Sequence, residues 1–134
     1  MQIDGGCHCG AIAYEAQIDP EMVSICHCKD CQTLSGTAFR VVVFAPAETF
    51  RLTRGRPKIY VKIAESGSRR AQAFCAECGS PLYATSADEK PTAYGIRLGT
   101  ARQRDQLPPK RQIWHRSAVA WLPEMEGLAT RETT

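Results

Sequence analysis

Along most of the chain, apolar residues alternate with polar ones, with a period of two. Residues 11–17 place Ile12, Tyr14 and Ala16 on one face, the pattern of a half-buried strand. Residues 39–44 (Phe-Arg-Val-Val-Val-Phe) are β-branched and aromatic, and too short for an ordinary helix. Alternation returns at 58–63, where Ile59, Val61 and Ile63 share a face, and further strands are expected at 71–74, 81–85, 92–98 and 112–116. Gly and Pro punctuate these runs from Pro20 to Pro109, the spacing of an antiparallel all-β fold. Helix is scarce. Residues 29–35 predict one or two turns ended by Gly36, and another short turn is expected after Gly99. Trp114 and Trp121 are expected to close the core, and residues 124–134, with little apolar content, are expected to fray.

No repeat, low-complexity tract or linker divides the chain, so residues 1–134 read as one domain with its core at about 5–123. No stretch free of Asp, Glu, Lys and Arg exceeds ten residues, the length reached from Gly5 to Tyr14. A spanning helix needs roughly 20 apolar residues, so none is expected. Met1-Gln2-Ile3-Asp4 has neither a basic start nor an apolar run, which argues against a secretory signal and for a cytoplasmic protein. A net charge of +3 is too mild to imply nucleic acid. The basic residues that collect in the middle and later chain (Arg51, Arg54, Arg56, Lys58, Arg69, Arg70, Arg97, Arg102, Arg104, Lys110 and Arg111) read first as solvated surface, and second as attraction for a small acidic ligand.

Cysteine changes the picture. Seven cysteines fall in three tight groups: Cys7-His8-Cys9, Cys26-His27-Cys28-Lys29-Asp30-Cys31, and Cys75-Ala76-Glu77-Cys78 followed by Gly79. An odd count, with cysteines two residues apart that close a disulfide poorly, points to metal rather than to a disulfide framework. Cys-x-x-Cys-Gly is the layout of a zinc knuckle, and Cys-x-Cys on a strand aims both sulfurs to one side. Two pairs make four ligands and leave a trio, whereas the trio with either pair makes five. The economical partition is a closed structural zinc on Cys7, Cys9, Cys75 and Cys78, plus an open zinc on Cys26, Cys28 and Cys31. Zinc with three thiolates carries a formal charge of −1, a weaker Lewis acid than a three-histidine site and better matched to a soft thiol ligand. The expected substrate is therefore a thiol, and the expected reaction makes or breaks a carbon–sulfur bond. Other readings are a second structural zinc completed by His8, His27, His115 or Asp30 and, less economically, an iron–sulfur cluster. On strands, His8 and His27 would face away from the metal.

These motifs resemble the glutathione-dependent formaldehyde-activating (GFA) family, also called the CENP-V/GFA domain family. The matching residues are Gly6-Cys7-His8-Cys9-Gly10 with Ile12 and Tyr14, Cys26 to Gln32 with Ser35-Gly36, Gly67-Ser68, Phe74 to Leu82, Leu98-Gly99-Thr100, Pro109, Ile113-Trp114, Ser117 and Trp121-Leu122. The resemblance implies a β-tent fold of antiparallel sheets around zinc, shared with B-type methionine sulfoxide reductases, and the same division into four and three ligands. It implies a carbon–sulfur lyase that joins glutathione and formaldehyde as S-(hydroxymethyl)glutathione, with Cys26, Cys28 and Cys31 holding the reactive zinc and arginines holding the carboxylates of glutathione. Ala101-Arg102-Gln103 stands where members often have Leu-Asp-Asp, and Gln112 where a His is frequent; both departures bear on substrate recognition. The rival reading is a non-catalytic zinc-scaffolded module that binds protein or nucleic acid. Methionine sulfoxide reduction would need a nucleophilic cysteine outside the metal sites, and every cysteine is already assigned.

Overall fold

The computed structural model describes all 134 residues, Met1 to Thr134. Strands β1 (Gln2–Gly6), β2 (Ala13–Gln17) and β5 (Arg51–Arg54) form a small sheet in the order β1-β2-β5. The large sheet holds β3 (Val23–Cys26), β4 (Arg40–Pro46), β6 (Lys58–Ile63), β7 (Arg69–Phe74), β8 (Pro81–Ser86), β9 (Ala93–Arg97) and β10 (Arg111–Ile113). Its order is β10-β3-β4-β9-β8-β7-β6. The one α-helix, α1 (Lys29–Ser35), ends where the sequence predicts, at Gly36 in the left-handed region. The mainly β architecture is the expected one. No helix is long and apolar enough to cross a membrane.

The alternation read from the sequence separates two faces of the large sheet. Val43, Ala73, Tyr83 and Ile96 meet Ile3, Tyr14 and Ala16 of the small sheet, and this apolar layer is the core. Register carries the other residues to the opposite face. Cys26 pairs with Arg40, Ser24 with Val42 and Val42 with Arg97. Phe44 pairs with Gly95, Gly95 with Ala84, and Ala84 with Gln72. That second face carries polar and cationic side chains together with one of the cysteines.

Several expectations are corrected. The sheet is not wholly antiparallel, because β10 runs parallel to β3 after a connection from β9 that passes β4 and β3. Strands β1, β3 and β5 were not expected; their glycine pair, shortness or polar content hides the alternation. Ile59, Val61 and Ile63 do share a face, but they lie exposed on the outer strand β6, which contributes nothing to the core. Trp114 and Trp121 do not close the core: they are 41% and 51% exposed. The first follows an edge strand, and the second lies in a segment that no sheet covers. Residues expected to fray include the end of a short 3-10 helix, Leu122–Gly127, with no buried residue.

Tyr14 links the core to the strand that reaches the second face. Its ring is 2% exposed and stacks on Phe50, and its hydroxyl lies 2.9 Å from Thr100 Oγ1, whose own hydroxyl donates to the carbonyl of Arg97. Tyr14→Phe is expected to cost about 1 kcal/mol, the loss of one buried hydrogen bond, and Tyr14→Ala about 3–5 kcal/mol. Urea unfolding of the zinc-loaded protein measures both.

Candidate metal centres

Two groups of cysteines converge, each with all of its sulfurs within 4.8 Å of one another: Cys7, Cys9, Cys75 and Cys78, and Cys26, Cys28 and Cys31. The first joins the turn between β1 and β2 to the turn between β7 and β8. Cys7 and Cys9 Sγ are 3.7 Å apart, and Cys9 and Cys75 Sγ 3.8 Å. Sulfurs around one tetrahedral zinc at about 2.3 Å stand ~3.8 Å apart, so the donor set fits that ion. Each turn is closed by a glycine with positive φ. Gly10 N–H donates to the Cys7 carbonyl and Gly79 N–H to the Cys75 carbonyl, at φ values of 83° and 78° that a residue with a Cβ adopts poorly. Ile12 N–H donates to Cys7 Sγ at 3.2 Å. The Ser80 hydroxyl and backbone hold the Cys78 thiol down at about 5. Cys7-His8-Cys9 is a turn, not the expected strand. Cys7 and Cys75 are buried while Cys9 and Cys78 are exposed, so this centre lies at the surface. His8 is exposed and contributes only its backbone, which donates to Ser80 Oγ at 3.0 Å.

The trio is built where β3 runs into α1. Cys26 ends the strand, Cys28 caps the helix by accepting from Cys31 N–H at 3.2 Å, and Cys31 lies in the first turn. Helical geometry therefore brings the last two sulfurs to the side of the first. None of the proposed fourth ligands joins them. Asp30 pairs with Lys62 at 2.8 Å, and His115 is exposed. His27 follows β3 instead of lying on it; its fully buried ring contacts Phe39 and His115 edge-on, with Nε2 2.7 Å from Gln112 Oε1 and Nδ1 unpartnered. Gln112 thus orients the ring between two of the cysteines. Gln32 Nε2 donates to the carbonyls of His27 and Ser117, which fastens α1 to the later chain.

A cavity of about 300 Å³ opens at the trio, on the second face of the large sheet. Besides the three cysteines it is lined by Arg40, Arg70, Gln72, Arg97 and Trp114. Cys28 and Trp114 also border a neighbouring cleft of about 520 Å³ that includes Asp30, Lys62 and Glu65. Trp114 has φ of 54°, the only non-glycine positive φ, and its ring lies 4.9 Å from the Arg116 guanidinium. Arg40 and Gln72 were missed as site residues, Trp114 was expected in the core, and Arg70 and Arg97 were read first as solvated surface and second as attraction for a small acidic ligand. The signal was present in the strand period, which puts Arg40 in phase with Val42 and Phe44, and Arg97 opposite Ile96. An apolar cleft of about 490 Å³ at Met1, Ile18, Met22 and Phe44 holds no cluster of metal donors or nucleophiles.

Without a cation, two of the three thiols hold their protons more tightly than a free cysteine does. Hydrogen bonding between Cys31 and Cys26 pushes the Cys31 thiol up and the Cys26 thiol down, and burial adds to the rise at Cys31. Burial also raises Cys28. A metal must displace these protons, so zinc affinity is expected to fall as pH falls. Calorimetric titration of zinc into the metal-free protein in buffers of different ionisation enthalpy should show proton release; binding with no released proton would contradict thiolate ligation.

Comparison with known proteins agrees with this architecture. A crystal structure of a Rhodobacter sphaeroides protein superposes with a TM-score of 0.61 at 20% sequence identity, covering 81% of this chain and 98% of that one, which shows a shared fold. The family model described as glutathione-dependent formaldehyde-activating enzyme matches residues 2–117, a span that takes in both cysteine clusters and every residue of the 300 Å³ cavity. The chain belongs to the glutathione-dependent formaldehyde-activating enzyme family.

Proposed function

We propose that the protein is a zinc-dependent enzyme of carbon–sulfur lyase type, acting on a small thiol or its adduct, with glutathione and formaldehyde as the leading pair. The observation that carries this reading is a convergence of three cysteines, without a fourth donor, on the wall of a cavity. A structural site would be closed, and a module that binds protein or nucleic acid has no use for an open one. Cys26, Cys28 and Cys31 would hold the reactive zinc, and Cys7, Cys9, Cys75 and Cys78 the structural zinc.

Bound at the trio, zinc supplies a soft Lewis acid that lowers the pKa of a thiol at its remaining position. The chain's own residues define the rest. Sheet and helix fix three sulfurs to one side of the cavity, so only one direction of approach is left. Trp114 borders that approach from the cleft next to Cys28. In the forward reaction the substrate thiolate attacks the formaldehyde carbon. The carbon–sulfur bond forms, the carbonyl π pair moves to oxygen, and that oxygen takes up a proton equivalent to the one the thiol lost. The product is a hydroxymethyl thioether, and the reverse reaction returns thiol and aldehyde.

Native mass spectrometry tests the assignment. Two zinc ions per chain and an adduct with reduced glutathione are expected, and Cys28→Ser should lose the adduct and at least about 100-fold of formaldehyde-condensing activity. Cys75→Ser should instead lower the melting temperature by about 10 °C or more, the equivalent of ~3 kcal/mol at this chain length. Two zinc ions without an adduct, together with equal destabilisation by the two substitutions, would favour the binding module.

A further inference from the structure

Strand β6 leaves both its side chains and its backbone without partners. It ends the large sheet, and no other segment forms a backbone hydrogen bond with its outer side. Pairing with Ala73 and Ala71 puts Ile59 and Val61 on the core side of the sheet, with Ile63 in phase. None of the three joins the core, and Ile63 is 70% exposed. A second apolar surface is equally bare. Residues 118–128 form a C-terminal arm whose 3-10 helix, Leu122–Gly127, buries no residue, and Trp121, Met125 and Leu128 on it are all exposed. Contiguous exposed apolar surface of this kind marks an interface more often than it marks solvated surface.

Charge and register say what fits there. Arg54, Arg56 and Lys58, at the start of β6, form no ion pair with a carboxylate, and neither do Glu124 and Glu126 of the arm. The arm is rooted at the opposite end of β6, where Arg116 pairs with Glu65 at 3.1 Å. In an antiparallel pair, facing residues lie on the same side of the sheet, so a two-fold axis between two β6 strands must pass through a residue. An axis through Val61 sets Ile59 against Ile63 of the second copy and Tyr60 against that copy's Lys62. An axis through Tyr60 or Lys62 would set lysine against lysine, and one further along would pair less of the strand. Lysines on an edge strand ordinarily guard it against such pairing. Here Lys62 is held by Asp30 at 2.8 Å, and the Val61 register opposes no lysine to another.

We propose that β6 is the joint of a two-fold symmetric homodimer, in which two large sheets continue into one another and each arm lies across the start of the other copy's β6. The strand has 6 residues, whereas a standard interface takes about 20 to 30 on each side, so edge pairing alone is too small and the arm supplies most of the remainder. Antiparallel pairing brings the Glu65 end of one β6, where the arm is rooted, beside the Lys58 end of the other. Glu124 and Glu126 of each copy are then within reach of the unpaired Arg56 and Lys58 of its neighbour, and Trp121, Met125 and Leu128 cover the isoleucine and valine side chains of the joint. Residues 62–65 also line the cleft beside Cys28, so the second copy borders that cleft as well.

Sedimentation velocity on the zinc-loaded full chain tests the joint. A species of twice the 14.8 kDa chain mass is expected at chain concentrations of about 100 μM. Val61→Lys puts two ammonium groups face to face on the axis and should raise the dimer Kd by at least about 100-fold. Its melting temperature, compared with that of the unsubstituted monomer at high dilution, shows that the fold survives; Ile63→Lys replaces it if it does not. Charge exchange tests the arm. Glu124→Lys with Glu126→Lys, and separately Arg56→Glu with Lys58→Glu, should each weaken the homodimer, and the two double variants mixed should form a heterodimer in native mass spectra. A monomer at every concentration overturns the proposal, and so does a dimer that Val61→Lys leaves intact. Homodimers unaffected by both charge reversals overturn the part given to the arm.

Discussion

A strand can show only alternate side chains to each side, and the large sheet uses that limit to keep two incompatible environments apart. Apolar residues on one face are sealed against the small sheet. One residue further along each strand lie Cys26, Arg40, Gln72 and Arg97, groups that an apolar core would exclude. A slip of one residue in any of these pairings would turn guanidinium into the core and valine or isoleucine into the cavity. The site is therefore as well specified as the core, because the same register sets both.

Thiol clusters tie this sheet together at two places. One lies where the turn after β1 meets the turn after β7, at the surface, and joins the small sheet to the large one. The other lies where β3 becomes α1, and opens on a cavity. The difference in setting follows from local structure: two glycine-closed turns can surround an ion from opposite sides, whereas a strand end and a helix start present their sulfurs from one side. Around the second cluster, His27, Gln32 and Gln112 fasten the helix and the parallel strand β10 to each other, so the position of Cys28 and Cys31 depends on residues more than 80 places later in the chain.

Much of this was legible in the sequence, and the parts that were not have physical reasons. Cysteine spacing separated seven cysteines into four and three, and the structure brings together the same two sets. Helix α1 was legible because Gly36 can end it, whereas the cap that Cys28 provides was not. Strand existence followed from alternation in most strands, and failed at β1, β3 and β5, where glycine, shortness or charge hides it. Burial was harder to read than structure. Ile59, Val61 and Ile63 have the pattern of a core strand, but an edge position leaves them exposed, and edge positions depend on topology. Trp114 was expected to close the core, whereas the geometry of a strand end places it beside Cys28. Arg97 shows the converse: it lies in a strand of clear alternation, yet charge suggested the surface, and only the pairing with Val42 and the acceptor Gln72 reveals a buried polar face.

The central claim is that the trio accepts a substrate thiol while the four-cysteine centre is complete. X-ray absorption at the zinc edge, on protein loaded with two zinc ions, measures this directly as the mean number of sulfur neighbours. Seven cysteines over two ions give a mean contribution of about 3.5 sulfurs per zinc, and saturation with reduced glutathione should raise it to about 4. A mean that stays unchanged when glutathione is bound would contradict the account.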